Sequence, residues 1–312
     1  MYHNLAAQAP TWVTLDAMLR WTASGAVPNP TTVQIRVQRS YPGRIRAGAP
    51  VPTRSMSAEE VTENIRYFTE GLRGPRTQPC EGLVLSGVGV ASREDTLPAI
   101  ALARAEGIQW VVLHVGVEDL DSLDVARFAE HVDTLVVPVQ PDGGTLTSAA
   151  RAVASARAAG LKVAANTTLT ANSLEALSTI ARVLANASPS SMTFTYPFPI
   201  NGSESAEVPP PARVLAALEP ALNTLDAAGI KTMVKGLPAC HLGDDAGRLG
   251  RTGNRWYVDA DHQRDQALMF FPDVVSFYKD EACRFCSADE SCDGFFATYL
   301  RRPGFPPLLP LD

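Results

Sequence analysis

Three features of the 312-residue sequence predict an α/β fold built on parallel strands: seven short apolar runs, amphipathic segments between them, and an end to that alternation near residue 237. The runs are VQIRV (33–37), GLVLSG (82–87), QWVVLHV (109–115), TLVVPV (134–139), KVAANTTL (162–169), MTFTYPF (192–198) and KTMVKG (231–236). Short and rich in Val, Leu and Thr, they have the composition of strands buried on both faces. Strands that alternate with helices lie parallel and are joined by right-handed crossovers. The pattern therefore admits a barrel-like (β/α) fold or a doubly wound sheet.

Residues 1–32 precede the alternation, with an expected helix over residues 15–21 and a loop at VPNP. The first crossover, SAEEVTENIRYFTEGLR, opens with Ser57 and Glu60 at the spacing of a capping box, in which each side chain accepts from the other residue's backbone N–H. LPAIALARAEG ends in Gly107 and TSAARAVASARAAG in Gly160, each placed to stop a helix. NSLEALSTIARVLAN repeats the capping-box spacing with Asn172 and Glu175. Beyond residue 237 glycine, aspartate and aromatic residues replace the periodic pattern, and RRPGFPPLLPLD reads as an extended strap. The expected division is an N-terminal extension (1–32), a strand–helix core (33–236) and a cysteine-rich C-terminal domain (237–312).

Composition narrows the function. Hydrophobic residues at 46% and charged residues at 19% describe an ordinary globular chain large enough to bury a core. A net charge of −6 without a basic block argues against nucleic acid or an anionic membrane as partner. No apolar run has the length of a membrane span, and the N-terminus lacks the basic start and apolar core of a signal peptide. Five cysteines, an odd and sparse set, do not form a disulfide framework. A cytoplasmic protein with reduced thiols is the expectation.

Four of those cysteines read as one metal site. Cys283, Cys286 and Cys292 form Cys-x2-Cys-x5-Cys in KDEACRFCSADESCDGF, and Cys240 follows the strand-like KTMVKGLP. A two-residue gap lets two thiolates on one turn reach a single centre, and the other two complete four corners. Four thiolates suit tetrahedral zinc or an iron–sulfur cluster. Cys80, alone in TQPCEGL, reads as a small buried residue.

In this order of features the chain resembles the radical S-adenosylmethionine (radical SAM) superfamily. The matching stretches are LSGVGVASREDTLPAIALARAEG at the second strand, FTYPFPINGS at the sixth, and CRFCSADESCDGFFATYLRRPG, which is similar to the SPASM and twitch auxiliary-cluster modules. The resemblance implies a partial (β/α)6 TIM-like barrel with a C-terminal cluster-binding extension. It also implies one [4Fe-4S] cluster on Cys240, Cys283, Cys286 and Cys292, with zinc as the alternative.

The departures from that family bear on activity. The family binds its catalytic cluster through Cys-x3-Cys-x2-Cys after the first strand, where this chain has no cysteine before Cys80. Arg36, Arg39, Arg44 and Arg46 occupy that region, and an always-protonated arginine cannot ligate iron. The Gly-Gly-Glu-type turn reads Ser86-Gly87-Val88, without the glutamate that would engage S-adenosylmethionine. A further SPASM cysteine is replaced by Phe296, leaving thiolates for one auxiliary cluster. The resemblance with these losses implies an accessory subunit, impaired in S-adenosylmethionine binding. It would pair as a heterodimer with an active radical SAM protein in peptide or small-molecule modification. The alternatives are a stand-alone enzyme using non-radical chemistry in the barrel pocket, or a zinc-stabilised binding protein.

Other residues carry weaker expectations. His114 near the end of the third run is a pocket acid or base, or a satisfied core histidine. His241 either donates to a cluster sulfide or faces solvent. SGVGV fails the G-x-G-x-x-G spacing at Ser92. Asp142 reads as a turn residue, Asn166 and Tyr196 as lining for a remnant pocket, and Glu59, Glu60 and Glu63 as a solvated helix face. His3, His131 and His262 have no recognisable context.

Overall fold

Each of the seven runs forms a strand: β1 (Thr32–Arg36), β2 (Gly82–Ser86), β3 (Trp110–His114), β4 (Thr134–Pro138), β5 (Lys162–Thr168), β6 (Ser191–Thr195) and β7 (Lys231–Lys235). The computed structural model describes residues 20–22, 25–27, 30–38, 54–70, 79–198, 208–250, 255–268, 277–300 and 305–311. The strands are parallel and pair in sequential order. With no reversal of strand order there is no switch point, so right-handed crossovers place every helix on the same face. That excludes the doubly wound alternative.

Two short strands extend the sheet to nine, both parallel to their neighbours: β8 (Leu249–Gly250) beside β7, and β9 (Trp256–Val258) beside β1. Five residues, 251–255, separate the two edges, a length that reaches about 22 Å at most. A flat nine-stranded sheet would hold those edges about 38 Å apart. The sheet is therefore rolled into an incomplete barrel. Both edge strands come from beyond residue 237.

The helices are α1 (Ala58–Glu70), α2 (Thr96–Ala105), α3 (Gly143–Ala158), α4 (Ala171–Ala187) and α5 (Pro211–Ala227). Their buried stripes, such as Leu174, Leu177, Ile180, Ala181 and Leu184 on α4, follow the helical period. The Ser57–Glu60 capping box forms as expected, with reciprocal bonds of 2.8 and 3.1 Å. Gly107 and Gly160 adopt φ of +98° and +81° just past the ends of α2 and α3. The cap of α4 lies earlier than expected: Thr170 and Ser173 exchange the capping bonds, and Asn172 already lies inside the helix. Glu175 instead faces solvent, 3.5 Å from Arg213.

Two further expectations are corrected. Between β3 and β4 the chain makes two short 3-10 turns, Val117–Asp119 and Ala126–Phe128, in place of a helix. At the N-terminus, Trp21 lies in a short antiparallel ladder (Arg20–Thr22 with Gly25–Val27), not a helix, and residues 1–19 fall outside the described ones.

Asp119 anchors the β3–β4 crossover. Fully buried, it accepts from the Gly116 N–H (2.9 Å), the Ala91 N–H (3.3 Å) and the Ser92 hydroxyl (2.7 Å), joining the turns after β2 and β3. Asp119→Ala strands these donors and should cost about 3 kcal/mol in urea denaturation, with Asp119→Asn costing less. Equal stability of the alanine variant and wild type would show that the turns hold without it.

Apart from β2, which is buried along its whole length, the strands keep one face partly accessible. Toward the helices, Ile35, Leu85, Leu113, Val137, Ala165 and Phe194 are fully buried. On the other face Arg36, His114, Asn166, Thr195 and Lys235 keep accessible surface. In parallel pairs, residues in register share a face, so Arg36–Ser86–His114 and Thr195–Lys235 lie along the inner wall. Valines such as Val84, Val112 and Val136, interleaved with these polar residues, give the runs their doubly buried look in sequence.

The C-terminal part comprises α6 (Ala239–Leu242), the strap 305–311, and a hairpin of β10 (Phe277–Tyr278) with β11 (Phe295–Phe296). An aromatic cluster docks it to the end of β6: Tyr196, Phe295, Phe296 and Tyr299 are all fully buried, and the Tyr299 hydroxyl donates to the Pro197 carbonyl at 2.9 Å. No helix among the described residues is long and apolar enough to cross a membrane.

Candidate metal centre

Sequence distance hides the convergence of the cysteines. Cys240 sits in α6, directly after β7; Cys283 lies in the 3-10 turn Glu281–Phe285, Cys286 ends that turn, and Cys292 precedes β11. All four line one pocket, together with Lys279, Asp289, Gly294 and Leu309. The turn is fixed by Asp280, whose carboxylate accepts from the Ala282 N–H at 3.0 Å, and by a 3.0 Å bond from the Cys286 N–H to the Cys283 carbonyl. Lys279 and Asp289 form an ion pair at the pocket edge.

Backbone amides point at the sulfurs. The Cys292 Sγ accepts from the Ala239 N–H (3.5 Å) and the Gly294 N–H (3.3 Å), and the Cys286 Sγ from the Leu311 N–H (3.3 Å). Such bonds stabilise sulfur carrying negative charge, as a metal-bound thiolate does. Gly294 is required where it stands: its φ is +82°, and a Cβ there would lie 2.2 Å from the Tyr278 carbonyl oxygen. Burial pushes the Cys240 and Cys283 thiols up from their ordinary pKa.

The spacing bears on which group fits. Thiolates around one tetrahedral zinc sit about 3.8 Å apart, from Zn–S bonds of about 2.3 Å. Among the described residues, no three His, Cys, Asp or Glu side chains are gathered as a single ion requires. Four thiols around a shared pocket, two of them supplied with amide donors, form a donor set that zinc or an iron–sulfur cluster can use. Cys80 is remote from this pocket and lies in the main core, 3% exposed, as expected. His241 faces neither solvent nor the pocket: it is buried edge-on against Phe295, with Nε2 3.4 Å from the Pro307 carbonyl oxygen.

At the barrel mouth, the Asn166 amide donates to Nε2 of His114 at 3.1 Å. Burial, followed by the charges of Arg36, Arg255 and Lys235, pushes the His114 pKa down to about 4. The imidazole is therefore neutral at physiological pH, with Nε2 accepting from the Asn166 amide and the N–H on Nδ1. Gln34 donates to Ser86 (3.1 Å) and accepts from Arg255 (3.2 Å).

Tyr196 lines no pocket. It is fully buried, its hydroxyl donating to the Pro209 carbonyl at 2.6 Å. Asp142 caps α3 through the Thr145 N–H at 2.9 Å, as a turn residue should. Glu60 is tied down by Gln263, Ser57 and Arg54, and Glu63 pairs with Arg264, so that face of α1 holds the 255–268 segment instead of water alone. Hydrogen bonds, the one from Gln263 foremost, hold the Glu60 pKa down at about 2. His262 has a context the sequence did not suggest: its Nδ1 lies 3.0 Å from an Asp259 carboxylate oxygen. Arg39, Arg44, Arg46 and the Asn201-Gly202 stretch fall outside the described residues.

Comparison with solved structures places this architecture. SuiB of Streptococcus suis bound to S-adenosylmethionine superposes with a TM-score of 0.57 at 10% identity, covering 89% of this chain and 76% of that one. Native anSMEcpe with bound AdoMet gives 0.58 at 10% identity, over 90% of this chain and 92% of that chain. The chain has the radical SAM fold. SuiB bound to its precursor peptide SuiA matches at 0.53 and 10% identity, over 75% of this chain and 58% of that one. No protein-family model matches the sequence, and no curated protein does. Within the radical SAM fold, β1 of this chain leads into a region with no thiol, while the cysteines gather at the far end of the chain.

Proposed function

We propose that this chain is a radical SAM-fold protein without a radical centre, which carries one C-terminal [4Fe-4S] cluster and serves as the accessory subunit of an active radical SAM enzyme. One observation carries the reading: Cys240, Cys283, Cys286 and Cys292 meet in one pocket, whereas no cysteine precedes Cys80. Cys240 and Cys283 would ligate the cluster from the barrel end and the first turn, and Cys286 and Cys292 from sulfurs already held by amides. When bound, such a cluster accepts or passes one electron. The chain's own residues shape its surroundings: the strap bearing Leu308, Leu309 and Pro310 lines the pocket, and the Lys279–Asp289 ion pair closes its edge.

A partner is supported by exposed apolar surface. Of the large hydrophobic residues described, three are exposed, and two adjoin the cysteine pocket: Phe285, 77% exposed between Cys283 and Cys286, and Leu309, 65% exposed on the strap. An apolar patch beside a redox centre is where an electron-exchanging partner would dock. SuiB has been captured with a precursor peptide, which supports a peptide as the substrate of the assembled enzyme.

Two outcomes test the proposal. The isolated protein, anaerobic and under strong reductant, should form no 5′-deoxyadenosine from S-adenosylmethionine above a no-protein control. Co-expressed with an intact radical SAM protein encoded beside it, the chain should co-elute on sizing chromatography, and Phe285→Glu with Leu309→Glu should separate the two without loss of iron. Separate elution of the unmodified pair at micromolar concentration, with partner activity unchanged by this chain, would leave the stand-alone enzyme in its place.

A further inference from the structure

The inner wall of the rolled sheet gathers positive charge, from Arg36 and Lys235 at C-terminal strand ends and from Arg255, whose backbone is level with Thr32 and whose side chain reaches up to Gln34. Arg36 closes β1, Lys235 closes β7, and Arg255 enters β9. These belong to opposite edges of the nine-stranded sheet, and the rolling of the sheet brings them together. Arg255 bonds Gln34, which bonds Ser86, the register partner of Arg36, while the Lys235 side chain lies against Gly250 at the other edge. The charges of Arg36, Arg255 and Lys235 also all bear on the His114 imidazole. Beside Arg36 and Lys235 on the same wall, at the C-terminal ends of the strands, lie Ser86, His114, Pro138, Asn166 and Thr195. None is acidic.

This arrangement costs stability in the free protein. Lys235 is half-buried, and among the described residues neither it nor Arg255 forms an ion pair; the hydrogen-bond partner of Arg255 is the neutral Gln34 amide. Partly desolvated like charges repel and lose hydration, and a protein keeps them together where a counter-charge arrives from outside. Guanidinium groups match the planar or tetrahedral oxygens of carboxylate and phosphate, and an ammonium adds a point charge. With a net charge of −6 on the whole chain, a polyanion such as nucleic acid is repelled, whereas a small anion can enter the local positive field.

We infer that the inner wall binds a small ligand through an oxyanion, carboxylate or phosphate, held between Arg255, Lys235 and Arg36, with the Ser86 hydroxyl and the Asn166 amide as neutral hydrogen-bonding groups. The neutral His114 adds no charge and keeps Asn166 oriented. This site lies on residues separate from the cysteine pocket and does not depend on the cluster or on a protein partner.

Titration calorimetry and thermal melts with sodium phosphate and with sodium malonate, at constant ionic strength set by sodium chloride, test the inference. At least one anion should bind saturably and raise Tm; phosphate alone identifies a phosphorylated ligand, and malonate alone a carboxylate. Lys235→Met should raise the Tm of the ligand-free protein, because a partly desolvated charge is removed, and weaken anion binding by about tenfold or more. Lys235→Arg should keep binding, and Arg255→Gln should weaken it. Three results overturn the inference: no saturable binding of either anion to the unmodified protein, binding unchanged in both Lys235→Met and Arg255→Gln, or a lower ligand-free Tm in Lys235→Met, which would show that the charge is satisfied within the chain.

Discussion

Replacing Cys283, Cys286 and Cys292 together with alanine should turn a brown protein colourless. Purified without oxygen, the unmodified chain is expected to carry about four irons and about four sulfides, the content of one thiolate-held cubane. The triple variant loses three of the four sulfurs that line the pocket, and Cys240 alone cannot hold a cluster. Visible absorbance and iron should both fall to near zero. Cys80→Ala, in the main core away from the pocket, should keep its colour. One tightly held zinc, with no sulfide after anaerobic reconstitution, would sink the iron–sulfur reading. The effect should extend to stability. Burial raises the Cys240 and Cys283 thiols, so without metal these two are held as neutral S–H groups, and loading must expel their protons. The cluster then contributes free energy to the folded extension that the metal-free chain lacks.

The barrel is readable in the sequence, and its reason is local. A strand such as GLVLS, buried along its whole length, announces itself as an apolar run, and Gly107 and Gly160 mark helix ends by a conformation other residues avoid. The cap of α4 is ambiguous because two capping pairs overlap in sequence: Thr170 with Ser173, and Asn172 with Glu175. Thr170 has the extended backbone a cap needs, and nothing in composition reveals that backbone. Strands β8 and β9, of two and three residues, are too short to show any period.

The two sites differ in legibility for a physical reason. Three cysteines within ten residues form a local pattern, so the metal centre can be proposed before any coordinates. The cationic wall joins Arg36, Lys235 and Arg255, which lie far apart in the chain and meet only because the sheet rolls. One signal is present: Lys235 ends its strand in KTMVKG, a charge at the C-terminal end of a barrel strand, where barrel residues face the active side. Tyr196 misleads for the opposite reason. A tyrosine at a strand end resembles pocket lining, but here the C-terminal hairpin packs over it and buries it.

That hairpin is also where a single substitution should cost most. Phe295 is fully buried, and its ring lies 5.3–6.0 Å, centre to centre, from His241, Tyr196, Phe296, Tyr299 and Phe305. Those contacts join the end of β6 to helix α6 and the strap, two elements that frame the cysteine pocket. Phe295→Ala opens a cavity that these rings cannot all collapse into, and should lower stability by about 3–5 kcal/mol in urea denaturation under anaerobic conditions. Iron content should fall with it, because Gly294, whose N–H donates to the Cys292 sulfur, is the residue before Phe295. The exposed counterpart is Phe285, 77% accessible in the cysteine turn, where alanine should change stability by no more than about 0.5 kcal/mol. The pair separates packing from mere aromatic content. If Phe295→Ala keeps both its stability, to within about 1 kcal/mol, and its full iron load, the hairpin does not hold the extension to the barrel, and the pocket must be assembled by the cysteine loop and strap alone.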